Sequence, residues 1–156
     1  MIKVLFVCLG NICRSPMAEA MFRDLVKREG LESQITADSA GTGDWHTGKP
    51  PHEGTLEILS KYSINAEGLK ARQISPDDLE HFDYIITMDA ENLRNVNRLS
   101  ASETKPVVAR LLDFSGPPGR MDVPDPYFTG NFEEVYELVK EGCEGLIQDI
   151  KEKHQL

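Results

Sequence analysis

The sequence predicts an α/β fold, a doubly wound four-stranded parallel sheet of order 2-1-3-4 with helices on both faces. Short apolar runs alternate with helix-like stretches along the chain, the pattern of parallel strands joined by crossover helices. The first run, Lys3 to Cys8, is apolar without interruption from Val4 to Cys8, as a strand buried on both faces is. That run ends on a cysteine followed by a turn and a helix start. In such sheets ligands bind beyond the carboxyl ends of the strands, at the point where the strand order reverses.

Each element follows from local chemistry. Pro16 opens a helix through Met17-Ala18-Glu19-Ala20-Met21-Phe22 that reaches about Glu29, before Gly30. Ile35 to Ser39 reads as the second strand. Gly41 to Pro51 is a turn-rich connection containing Trp45, and His52 to Lys61 carries helical spacing at Leu56 and Leu59. Ser75-Pro76-Asp77-Asp78 reads as a cap and first helical turn, Asp83 to Met88 as a buried strand, and Asp89 as the cap of the next helix. Val107 to Leu112 supplies the fourth strand. A Pro- and Gly-rich connection from Asp113 to Asn131 then leads into a closing helix, about Phe132 to Lys151, apolar at Val135, Leu138, Val139, Leu146 and Ile150.

At 156 residues, with 40% hydrophobic and 28% charged residues, the chain is expected to be a single domain spanning residues 1–156. No apolar run approaches the ~18 residues of a membrane span, and no signal peptide pattern opens the chain, so a cytoplasmic protein without membrane contact is expected. The net charge of -9 argues against the broad basic surface that nucleic acid needs, so anions must be captured locally. Cys8, Cys13 and Cys143 form neither a zinc spacing nor an even disulfide framework. Reduced thiols and no metal are expected, with Cys143 a small buried hydrophobe. His46, His52, His81 and His154 show no ligand spacing and read as ordinary surface or loop residues.

The chemistry concentrates in Cys8-Leu9-Gly10-Asn11-Ile12-Cys13-Arg14-Ser15-Pro16. A cysteine on a loop that opens a helix faces the positive end of the macrodipole and unpaired N–H groups, which favour thiolate and can cradle a phosphate dianion. Arg14 adds a planar fork for two phosphate oxygens, leaving phosphorus open to attack by Cys8. Attack expels an alkoxide or phenoxide, so an acid is wanted on the leaving-group side. Asp125, between Pro124 and Pro126 and beside Tyr127, offers a fixed carboxyl next to an aromatic ring, although Pro-Asp-Pro is also an ordinary turn. The Ser15 hydroxyl can donate to the Cys8 thiolate, or simply cap the helix, and Asn11 tolerates the left-handed backbone a tight loop requires.

Together these residues resemble the low-molecular-weight protein tyrosine phosphatase family, nearly end to end. The resemblance rests on Cys8 through Glu19, on Asp38-Ser39-Ala40-Gly41-Thr42 with Trp45, on Ala71-Arg72-Gln73, on Phe82 to Ile85 through Met88-Asp89, and on Asp125-Pro126-Tyr127. It implies that Cys8 is the nucleophile of a cysteinyl-phosphate intermediate, Arg14 binds phosphate and transition state, and Asp125 acts as general acid and then base. The loop residues Leu9, Gly10, Asn11, Ile12, Cys13 and Ser15 would hold phosphate, with Ser39 bracing Asn11. Trp45 and Tyr127 would wall a cleft deep enough for phosphotyrosine on proteins or peptides. No cofactor is implied, and a monomer is expected. Two positions depart from the family pattern: Leu69 stands where a histidine is common, and Phe128 where many members carry a second tyrosine.

Rival readings differ at named positions. Protein arginine phosphatases resemble the same loop but typically carry Thr where this chain has Ile12. Thiol-relay arsenate reductases need further cysteines, and none lies between Cys13 and Cys143. A non-catalytic phosphoprotein-binding module would tolerate loss of Cys8 or Asp125, and both are present. A nucleotide P-loop is excluded because Gly10 to Ser15 lacks the second glycine and the lysine. The tight loop should also bring Cys13 close to Cys8, where it could trap a Cys8 sulfenic acid as a reversible disulfide, or merely pack beneath the loop.

Overall fold

The apolar run at the amino terminus forms β1 (Ile2–Cys8), whose Val4, Leu5, Phe6 and Val7 are wholly removed from solvent. The computed structural model describes residues 1–99, 106–115 and 121–156. β2 (Ile35–Gly41) and β3 (Tyr84–Thr87) flank β1, and β4 (Val107–Arg110) pairs with β3. All pairings are parallel and the order is β2-β1-β3-β4, as the sequence predicts. Cys8 stands opposite Gly41, and Val7 opposite Thr87. Three strands therefore release their chains side by side at the reversal point.

The helices are α1 (Arg14–Arg28), α2 (Glu53–Lys61), α3 (Asp78–His81), α4 (Ala90–Leu99), α5 (Pro126–Thr129) and α6 (Phe132–His154). Alternation along β1 divides the core in two. Val4 and Phe6 pack with Met17, Phe22, Val139, Leu146 and Ile150 of α1 and α6, Phe6 meeting Phe22 edge to face at 5.4 Å. Leu5 and Val7 pack on the other side with Leu79, Ile85 and Val96. Both faces of the strand are thus covered, which is why its sequence does not alternate.

The differences from expectation are local. α1 begins at Arg14, two residues before the proline, because the first helical turn has no N–H to give inside the helix and tolerates Pro16. β2 runs on to Gly41. β4 stops at Arg110, where the N–H of Arg110 donates to Asp113 Oδ2 (2.9 Å) and Leu111–Asp113 tighten into a 3-10 turn. Leu111 and Leu112 are buried all the same, so an apolar run alone does not mark the strand end. The connection from Asp113 to Asn131, of which residues 116–120 lie outside the described residues, contains α5. That short helix is capped by Asp125, opened by Pro126 and closed by Gly130 at φ 74°. α6 continues to His154. Among the described residues no helix is long and apolar enough to cross a membrane.

Candidate active site

Cys8 is the last residue of β1, and the chain then wraps through residues 9–13 into α1. The outer side of this loop is held by its carbonyls. Cys8 O accepts from Thr42 N (2.9 Å), Leu9 O from Gly43 N (3.0 Å), Ile12 O from His52 N (2.7 Å), and Cys13 O from Thr55 Oγ1 (3.1 Å). A trans peptide points its N–H opposite its C=O, and no peptide among the described residues is cis. The N–H groups of Leu9, Gly10, Cys13 and Arg14 are therefore turned from those partners toward the space the loop encloses, a cradle for an anion. Gly41 makes the close approach possible, since a Cβ there would lie 2.9 Å from Leu9 O and 3.1 Å from Asn11 N.

Asn11 has φ 58°, the left-handed conformation expected of it. Its Nδ2 donates to Ser15 Oγ (2.7 Å) and Ser39 Oγ (3.0 Å), and its Oδ1 accepts from the backbone N–H of Arg72 (2.9 Å). Ser15 Oγ lies 3.0 Å from Cys8 Sγ, so this hydroxyl faces the thiol and does not cap α1, whose N-cap is Cys13. Ser39 donates to Glu19 Oε1 (2.6 Å). Arg72 is itself clamped by Asp78 (3.0 Å) and Asp38 (3.1 Å). Leu69, the departure from the family pattern, is buried in the core and supplies no polar group here.

Arg14 is only 2% exposed. Its Nη1 donates to Asp89 Oδ2 (2.6 Å) and to Val123 O (3.0 Å), while Nη2 reaches Asp125 Oδ2 at 3.3 Å. Nε has no hydrogen-bond partner among the described residues. The guanidinium is thus anchored through Nη1, and the Nε and Nη2 edge keeps its capacity for a pair of oxygens. Burial works against the Arg14 charge, but Cys8, the hydrogen bond to Asp89 and Asp125 outweigh it and hold the group above its ordinary range. Val123 N donates to Met88 O (2.8 Å), which carries the segment before α5 across the end of β3 and sets Asp125 over the loop.

Cys8, Leu9, Gly10, Ile12, Cys13, Trp45, Asp125 and Tyr127 line one pocket of ≈ 250 Å³, joined by His46 and Phe128. Asn11, Arg14, Ser15 and Ser39 are buried behind that lining. Trp45, Tyr127 and Phe128 are 64%, 56% and 75% exposed and form an aromatic rim. His52 braces it, stacking on Phe132 at 5.2 Å and meeting Tyr127 edge-on at 6.1 Å. Burial, then the charges of Cys8 and Asp125, push the Cys13 thiol up to about 12. Cys143 is fully enclosed, and burial raises it as well. No cluster of His, Cys, Asp and Glu able to hold a metal occurs among the described residues.

His46, expected as an ordinary surface or loop residue, lines the pocket, and Glu19, Gly41, Arg72 and Val123 support the site without a signal in the sequence spacing. The sequence predicts only a cap at Asp89. Asp89 does cap α4, its Oδ1 accepting from Asn92 N (2.8 Å), while its other oxygen holds Arg14. A carboxylate leaving the strand next to Cys8 was the available signal; His46 carried none.

Comparison with known proteins agrees with this architecture. The family model for low molecular weight phosphotyrosine protein phosphatase matches residues 3–156. The low molecular weight protein-tyrosine-phosphatase YfkJ of Bacillus subtilis is 57% identical over all of both chains, and its crystal structure superimposes with a TM-score of 0.95, covering 98% of this chain and 96% of that one. PtpA of Staphylococcus epidermidis is 48% identical over 96% of this chain and 94% of its own. The Drosophila arginine phosphatase DARP is 34% identical, with a TM-score of 0.89, covering 96% of this chain and 98% of that one. The end-to-end match in sequence and backbone means that the chain belongs to the low molecular weight phosphotyrosine protein phosphatase family.

Proposed function

We propose that the chain hydrolyses phosphotyrosine on cytoplasmic proteins or peptides through a phosphocysteine at Cys8, as a monomer. The observation that carries this reading is the grouping around one pocket of the Cys8 thiol, an arginine anchored at one end, and a carboxyl pinned at both oxygens. The Cys8 thiolate attacks phosphorus, the P–O bond to the phenol breaks, and Asp125 gives its proton to the departing oxygen. Asp125 then takes a proton from water as that water attacks phosphorus, and the P–S bond breaks to return the thiolate and free phosphate. The Ser15 hydroxyl, 3.0 Å from Sγ, steadies the sulfur when it leaves. Loop N–H groups and Arg14 balance the phosphoryl charge, so the steps require no cofactor.

A phosphoarginine reading deserves a direct test because one structural relative is named as an arginine phosphatase. Ile12 lines the pocket together with Trp45, Tyr127 and Phe128, and this apolar wall suits an aromatic ring better than a guanidinium. Turnover of sequence-matched phosphotyrosine, phosphoserine and phosphoarginine peptides, with arsenate reduction as control, separates the readings. Phosphotyrosine is expected to be the preferred substrate, with Cys8→Ser inactive yet still able to bind phosphate. Faster turnover of phosphoarginine, or substantial hydrolysis by Cys8→Ser, overturns the proposal.

A further inference from the structure

We infer that Glu19 is a positioning residue for the reaction: as a buried acceptor at the far end of a hydrogen-bond chain, it fixes the direction of that chain and so aims the Ser15 hydroxyl at Cys8 Sγ. The inference rests on the reading of Cys8 as the nucleophile. Its starting point is a bond with only one possible polarity. The backbone N–H of Arg72 can only donate, and it donates to Asn11 Oδ1 (2.9 Å), which settles which end of the Asn11 amide is oxygen. Nδ2 must then donate, and it gives its two hydrogens to Ser15 Oγ (2.7 Å) and Ser39 Oγ (3.0 Å).

Each serine oxygen thus receives a hydrogen and must direct its own elsewhere. Ser39 sends its hydrogen to Glu19 Oε1 (2.6 Å), and the partner left to Ser15 is Cys8 Sγ (3.0 Å). An ionised carboxylate accepts and never donates, so the Ser39 end cannot reverse. Without that acceptor, the Ser39 hydrogen would compete with Nδ2 for the space between Ser39 and Asn11. Asn11 would be displaced, and Ser15 with it, from one end of the chain to the other. Glu19 is only 6% exposed, with Arg23 at 3.5 Å and the charges of Asp38 and Arg72 also facing it. Burial pushes its carboxyl up, opposed by the Ser39 hydrogen bond and Arg23, so the ionised acceptor is held where the loss of water disfavours its charge.

The test compares Glu19→Gln, whose Oε1 can still accept from Ser39, with Glu19→Met, of similar length and no acceptor, each also made in Ser39→Ala. The readouts are kcat and KM for an aryl phosphate and the rate of Cys8 alkylation by iodoacetate at fixed pH, with thermal melts as a folding control. Glu19→Met is expected to lower kcat and the alkylation rate together by about tenfold, the factor carried by one hydrogen bond to a charged group, with KM within about twofold. Glu19→Gln should stay within about threefold of the parent, and Glu19→Met should cost nothing further in Ser39→Ala. Parent rates in Glu19→Met, equal losses in the Gln and Met variants, or independent losses from Glu19→Met and Ser39→Ala overturn the inference. If Glu19→Met does not fold, Ser39→Ala alone must slow alkylation, and a parent rate there overturns it. Failure of the nucleophile reading is distinct, because it shows as turnover by Cys8→Ser.

Discussion

Asp125 accepts from the N–H of Tyr127 at Oδ1 (3.1 Å) and from Arg14 Nη2 at Oδ2 (3.3 Å), so one carboxyl both starts α5 and faces the pocket. Asparagine keeps an oxygen for the cap but has no acidic proton, which separates the two tasks. Asp125→Asn is expected to slow phosphotyrosine hydrolysis ~10²- to 10⁴-fold while losing much less with 4-nitrophenyl phosphate, whose leaving group needs little protonation. Equal losses on both substrates would mean that Asp125 only shapes the segment. Arg14 poses a different question, since Asp89 and Val123 O hold its Nη1 and leave the Nε edge for substrate. A lysine at 14 could satisfy Asp89 but has no second edge to offer. Arg14→Lys should therefore fold and lose most of kcat/KM, and near-parental kcat/KM would remove Arg14 from phosphate binding.

At the scale of elements, the strand-loop-helix unit from β1 to α1 was legible because its signals are local: an unbroken apolar run, a loop cysteine, and a proline in the first helical turn. α5 was not, because four residues carry no helical period and Pro and Gly there read as loop. Glu19, Gly41 and Arg72 have roles made by distant segments meeting, which no spacing encodes: Glu19 lies 20 positions from Ser39, and Arg72 61 from Asn11. The loop also sets the terms of the proposed Cys8–Cys13 bridge. Peroxide would convert the Cys8 thiolate to a sulfenic acid, and the Cys13 thiolate would attack that sulfur, forming the S–S bond as the S–O bond breaks and hydroxide leaves to take a proton from solvent. Burial is the largest cause that holds the Cys13 thiol up, and it persists once Cys8 has become a neutral sulfenic acid, so the attacking form is scarce at neutral pH. Bridge formation should accelerate about tenfold per pH unit between pH 7 and 9, because the Cys13 thiolate fraction does. Mass spectrometry of acid-quenched protein measures this; no linkage at any pH, or a rate indifferent to pH, would leave Cys13 as packing beneath the loop.

Over the whole molecule, 26 acidic against 17 basic residues give a field that repels phosphate at long range, but salt screens it within ~8–10 Å, leaving capture to the loop and Arg14. Burying one more carboxylate in such a molecule has a consequence for stability that can be read apart from activity. Glu19 is raised chiefly by burial, so the folded protein holds that proton to a higher pH than the unfolded chain does. Between the two values the native state binds more protons, and stability falls as pH rises through the folded-state value. Above it, the ionised side chain weakens the native state despite Arg23 and the Ser39 hydrogen bond. Glu19→Gln removes the charge, so it should melt at a higher temperature than the parent at neutral pH. As pH drops below the ordinary Glu value of about 4.3, both proteins carry a neutral side chain and the difference should vanish, while the other carboxylates titrate alike in both. Melting curves at pH 7.5 and at successively lower pH measure that difference directly. A variant that melts no higher than the parent at pH 7.5, or whose advantage is the same at every pH, would show that the Glu19 charge carries no such penalty in the fold.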